Sequence, residues 1–185
     1  MRLLLFLLIQ PLLCSGLNFL LYSPLMARSH INFMSHVADS LVDAGHNVTI
    51  LAPLIDTNWL STFVTKAEVI TVPQCKEAEE YEQNGRDAIF KMIWLGDSIQ
   101  SAMTEILKMM LVWRQQCNAT LQHTEILNNL KLRKFDAAMA EPFDHCGSVI
   151  FRELGIEKFA AMLSTSAFEG SFFLTGLPSF PSYVP

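Results

Sequence analysis

The apolar positions change their spacing along the chain, and each change marks an element. Leu3–Leu13 (LLLFLLIQPLL) is an apolar run behind Met1 and Arg2, closed by the small residues Cys14-Ser15-Gly16. A short basic start, an apolar centre and a small-residue end predict a cleavable secretory leader over residues 1–16. A membrane span needs about 20 apolar residues, and Gln10 and Pro11 interrupt this run. Leu17–Tyr22, ended by Ser23-Pro24, is too short for a helix and reads as a buried strand. Beyond it Ile31, Met34, Val37, Ala38 and Leu41 recur every three or four residues, with Ser35, Asp39 and Asp43 opposite and Gly45 as the stop. That is an amphipathic helix. Asn47–Leu51 and Glu68–Val72 are β-rich runs on either side of an irregular connection holding Trp59 and Phe63. Strand, helix and strand at this spacing form a βαβ unit.

The acidic run Glu77–Glu82 reads as a solvated loop or helix start. From Arg86 to about Gln116, Ile89, Ile93, Ile99, Met103, Ile106, Met110 and Trp113 keep a helical period with a bend at Gly96. Lys91, Asp97, Glu105 and Lys108 make this an amphipathic helix rather than a span. A shorter helix over Leu121–Leu130, a basic turn at Lys131–Lys134, a strand over Phe135–Ala140, a helix over Cys146–Leu154 and a strand over Phe159–Leu163 complete the alternation. The prediction is an α/β fold, a Rossmann-like parallel sheet with helices on both faces.

Composition narrows the functional classes. With 51% apolar and 17% charged residues the chain buries a core, and 185 residues suffice for one domain or one and a half. Thirteen Lys and Arg against 18 Asp and Glu give a net charge of −5 with the basic residues scattered, so there is no footprint for nucleic acid or for an anionic membrane surface. Loss of the leader removes Cys14 and leaves Cys75, Cys117 and Cys146 in an oxidising compartment, enough for one internal bridge at most. No spacing suits a structural metal, and adjacent Asp144, His145 and Cys146 point in different directions, so no metal is expected. Two Asn-x-Thr sequons occur: Asn118 is expected to carry a surface glycan, and Asn47, opening an apolar strand, is expected to be inaccessible. Neither GxGxxG nor a P-loop is present, so any nucleotide site lies outside these residues.

In open parallel sheets, ligands sit at the carboxyl ends of the strands. His30 falls at the entry of the first helix, and Glu141 falls where Pro142 ends a strand. Such a pair suits general base catalysis on a hydroxyl, an imidazole taking the proton and a carboxylate holding its other nitrogen. Spacing alone leaves the plainer alternative open, in which His30 caps a helix and Glu141 makes a surface hydrogen bond.

The run Ser29-His30 to Phe33, Ala38-Asp39, Leu41 and Ala44-Gly45-His46-Asn47-Val48-Thr49-Ile50-Leu51 resembles a segment of the UDP-glycosyltransferase (UDP-glucuronosyltransferase) family, particularly its nematode members. Phe135-Asp136-Ala137 to Glu141-Pro142-Phe143-Asp144 with Cys146-Gly147, Phe159–Ser164, and Gly176-Leu177-Pro178 to Pro181-Ser182-Tyr183-Val184-Pro185 agree in order and separation. The resemblance implies that residues 17–185 are the N-terminal, acceptor-binding half of a GT-B fold of two Rossmann-like lobes. It implies an inverting transfer of sugar from a UDP-sugar to a hydroxyl of a small lipophilic acceptor, with His30 as base and Glu141 as its partner, where many members have Asp. UDP-sugar is then a co-substrate bound by a C-terminal lobe, and no cofactor is needed. Phe33, Phe143 and Phe168 become acceptor contacts. The resemblance further implies the endoplasmic reticulum lumen or membrane, attachment through a helix in the C-terminal lobe, conjugation of xenobiotics and a homo-oligomer as one possible assembly. The alternative is a non-catalytic lobe that binds lipophilic ligands or associates with complete transferases.

Overall fold

The computed structural model describes residues 16–84 and 98–165. Five strands, β1 (Asn18–Tyr22), β2 (Asn47–Pro53), β3 (Glu68–Val72), β4 (Ala137–Ala140) and β5 (Phe159–Ala161), form one sheet in the order β3-β2-β1-β4-β5. Every neighbouring pair is parallel. The helices are α1 (Arg28–Asp43), α2 (Lys76–Asn84), α3 (Ile99–Gln122), α4 (Thr124–Leu132) and α5 (Cys146–Glu153), with a 3₁₀ turn at Thr57–Thr62.

Alternation along β1 explains the two faces, because successive side chains of a strand point to opposite sides. Phe19 and Leu21 join a cluster with Ile31, Met34 and Ala38 of α1, and Leu20 and Tyr22 join another with Leu127 and Leu130 of α4 and Ile150 and Phe151 of α5. Burying each such side chain contributes on the order of 1.5–3 kcal/mol. The predicted apolar stripe of α1 is thus the face laid on the sheet. Gly45, with φ +88°, ends α1: its N–H reaches the Val42 carbonyl and the His46 N–H reaches that of Leu41, a Schellman closure that favours a residue without Cβ.

Of the two readings of Glu77–Glu82, loop or helix start, the helix is found: the run lies within α2, where fully buried Ala78 gives this charged segment an anchored face. Two expectations change. The helix expected from Arg86 to about Gln116 extends to Gln122, with Gln116 and Thr120 buried on it, and residues 86–97 of that expectation lie outside the described residues. Asn47, expected to be inaccessible, is exposed: it is the first residue of β2, and burial begins only at Val48. Cys117 of α3 and Cys146 of α5 form a disulfide with Cα atoms 5.6 Å apart, and Cys75 is free. Asn118, next to the bridge, lies exposed on α3. Among the described residues no helix is long and apolar enough to cross a membrane.

Candidate active site

The strand order places a topological switch point between β1 and β4. They lie side by side in the sheet although β2 and β3 separate them in sequence, and helices connect outward from the pair in opposite directions. A crevice opens at the carboxyl ends of such strands. Tyr22, the last residue of β1, is in register with Ala140, the last of β4. The segments leaving the two strands therefore meet at one place.

His30 stands in the first turn of α1, and Glu141 directly follows β4. His30 Nδ1 lies 2.8 Å from Glu141 Oε2. The Glu141 side chain is 6% exposed and that of His30 is 21% exposed. Ser164, just beyond β5, closes the arrangement: its N–H donates to Glu141 Oε1 at 3.2 Å, and its Oγ lies 3.2 Å from His30 Nδ1. Burial alone would raise the Glu141 carboxyl, but the hydrogen bonds from His30 and Ser164 outweigh it and hold it below its ordinary value. An ionised Glu141 can only accept a hydrogen bond, so it favours the tautomer with the proton on Nδ1, in which a neutral imidazole carries its lone pair on Nε2.

A second pair lies beside the first. The Tyr22 hydroxyl donates to Asp144 Oδ2 at 3.0 Å. Burial lifts the Asp144 carboxyl to about 6, against hydrogen bonds from Tyr22 and the Cys146 N–H, and the charge of Glu141 pushes it the same way. Burial, then the charge of Asp144, pushes the Tyr22 phenol well above its usual range. Gly147 makes room for this geometry, since a Cβ there would stand 2.6 Å from Ala140 Cβ and 3.0 Å from the Tyr22 ring. The run Asp144-His145-Cys146 is divided among different tasks: Asp144 takes the tyrosine, Cys146 takes the disulfide, and His145 is exposed. Among the described residues no group of three or more His, Cys, Asp or Glu is placed to hold a metal.

Of the expected acceptor contacts, Phe143 stands edge-on to the His30 ring with centroids 4.9 Å apart. Phe33 is half-buried and packs into the cluster beneath α1. Phe168 lies outside the described residues. A hollow of about 350 Å³ opens beside Glu141, lined also by Asp144, His145 and Ser148 and by the apolar Phe151 and Phe159. Sequence reasoning missed Ser164, Tyr22, Phe151 and Phe159. The signal for Ser164 was its place just past a strand at the same sheet edge, whereas Tyr22 reads as one more apolar strand residue.

An open, all-parallel sheet with polar side chains gathered at its switch point defines a Rossmann-like lobe, and the likeness to a solved glycosyltransferase places it in the GT-B class. The solved calicheamicin glycosyltransferase CalG4 has the same fold, with a TM-score of 0.50 and 16% identity over 91% of this chain and 39% of that one. The chain belongs to the UDP-glucoronosyl and UDP-glucosyl transferase family, whose family model matches residues 19–185. Human UDP-glucuronosyltransferase 3A2 is 30% identical over 159 residues, 85% of this chain and 29% of that protein. Putative UDP-glucuronosyltransferase ugt-55 of Caenorhabditis elegans is 28% identical over 158 residues, 82% of this chain and 30% of the relative. The chain thus spans about a third of the length of the curated relatives it matches.

Proposed function

We propose that these residues form the acceptor-binding half of a sugar transferase in which His30 is the general base. The observation that carries this reading is the 2.8 Å contact between His30 Nδ1 and the buried Glu141 carboxylate at the switch point. In the reaction, an acceptor hydroxyl gives its proton to His30 Nε2 as its oxygen attacks the anomeric carbon of a UDP-sugar. The bond from that carbon to the UDP oxygen breaks from the opposite face, so the configuration inverts and UDP leaves with the bonding pair. Glu141 keeps Nδ1 protonated and steadies the imidazolium, and Ser164 holds Glu141 in turn. Glu141 has one methylene more than an Asp, so its carboxylate needs such support to stay fixed.

The half-apolar hollow beside Glu141 supports a small lipophilic acceptor with a hydroxyl at one edge. Phe143, edge-on to the His30 ring, is proposed as an acceptor contact, as are Phe33 and Phe168. The donor, a UDP-sugar with UDP-glucuronic acid as first candidate, is bound by the other half of the complete enzyme. The Cys117–Cys146 bridge supports an oxidising compartment, consistent with a leader over residues 1–16, a lumenal location in the endoplasmic reticulum and a glycan on exposed Asn118. Membrane attachment is assigned to the rest of the full-length protein. In that protein His30→Ala lowers transfer to a lipophilic phenol by about 10²–10⁴-fold, read as UDP release. Undiminished release refutes His30 as the base.

A further inference from the structure

The turn after β4 carries three side chains that meet two partners, His30 and Tyr22, and the second partnership has no part in the proposed chemistry. Glu141 meets His30 by hydrogen bond and Phe143 meets it edge-on, while Asp144 turns to the Tyr22 hydroxyl and to the Cys146 N–H at the start of α5. Tyr22 is 2% exposed, at the end of the central strand. Among apolar neighbours, a phenol facing a carboxylate is costly to bury unless the two hold one another. A core residue needed only for packing would serve as well without the hydroxyl.

We infer that Tyr22 and Asp144 are positioning residues for the proposed reaction: they pin the turn 141–144 to β1 so that Glu141 and Phe143 hold His30 in its working orientation. This rests on the reading of His30 as base. The reason lies in where the turn is tied. Its start is fixed by the sheet, since Ala140 pairs with Tyr22, and its end by α5, where Cys146 is bridged to α3. Between them the Tyr22–Asp144 bond is a side-chain tie from the turn to β1, the strand that leads to His30. The groups facing Asp144 are Tyr22 from β1 and Glu141 from the end of β4, the latter held by His30 of α1. Losing the tie lets a long Glu side chain drift, and displacement by about 1 Å is enough to slow a positioned proton transfer.

The test uses the full-length enzyme with Tyr22→Phe and Asp144→Asn, both close in shape to the original. Tyr22→Phe lowers kcat by about tenfold while KM for acceptor and UDP-sugar stays within about twofold. Asp144→Asn lowers kcat similarly and, by removing a negative charge near the dyad, moves the acid limb of the pH–kcat/KM profile to lower pH. The double variant loses no more than the worse single, because the pair acts as a unit. Wild-type kcat with an unmoved acid limb in both variants overturns the inference, as does a loss fully explained by a smaller folded fraction in thermal melts. If Tyr22→Phe does not fold, Asp144→Asn decides by the same readouts. His30→Ala separates the two claims: activity that survives it defeats the base, and an inactive His30→Ala protein beside fully active Tyr22 and Asp144 variants defeats the positioning pair alone.

Discussion

The two edges of the sheet both gather polar side chains and treat them in opposite ways. At the amino edge lies the larger hollow, about 530 Å³, bordered by Asn18, Asn47, Lys66, Glu68 and Arg133 among others. Its charges are exposed and neutralise one another: Lys66 Nζ bonds both Asp43 oxygens, and Arg133 forks onto Glu68. At the carboxyl edge the hollow is smaller, yet Glu141 and Tyr22 are buried, and the carboxyls of Glu141 and Asp144 are pushed in opposite directions. Exposed pairs are screened by water and are worth about 0–1 kcal/mol. A polar group in a drier setting is costly unless its partners are well placed, so such a cluster marks a site better than cavity size does.

The largest effect expected at either edge after loss of His30 is that of Glu141→Gln, which keeps the shape and removes the charge that steadies an imidazolium. Transfer falls by on the order of 10²-fold or more, measured as kcat in the full-length enzyme. The same substitution reads out in acid. A carboxyl held below its ordinary value stabilises the fold above about pH 4.3, and that contribution is lost as pH falls through the depressed value. Glu141→Gln therefore flattens the decline of stability below about pH 4.3, monitored by denaturant titration. Asp144 works the other way: its folded value of about 6 lies above the ordinary carboxyl, so its contribution is present in acid and lost as pH rises through 6.

Next in size is the bridge behind the turn. Replacing Cys117 and Cys146 together with Ala costs about 2–4 kcal/mol, seen as a lower melting temperature, since 29 residues separate them in sequence. Gly147→Ala costs about 1–3 kcal/mol, because the added methyl meets Ala140 and Tyr22 and must push α5 off the sheet. At the amino edge Arg133→Met changes stability by less than about 1 kcal/mol and leaves kcat unchanged. A large loss of activity from that last change would erase the contrast between the two edges.

Much of the fold was legible because its signals are local. Short apolar and β-rich runs placed the strands within about two residues, and Gly45 placed the end of α1. The Glu77–Glu82 run was harder to read, since a charged segment becomes helical only when something such as buried Ala78 anchors it. The dyad residues were legible individually, as His30 and Glu141 each come after a strand. Ser164 and the Tyr22–Asp144 pair were not, because nothing in a strand's pattern tells which neighbour will face it.

By itself the sequence determined which residues are strands, which helix face is apolar, that the fold is parallel α/β, and which family the chain resembles, since periodicity and motif spacing are properties of the chain alone. Only the tertiary structure decided that β1 lies beside β4 and that Cys117 rather than Cys75 pairs with Cys146. It likewise decided that a tyrosine of the central strand meets Asp144 and that Asn47 stands in the open. The reason is that strand order and helix docking bring together residues that are distant in sequence, 29 positions for the bridge, 111 for the dyad and 122 for the tyrosine pair, and no local pattern encodes a contact at those separations.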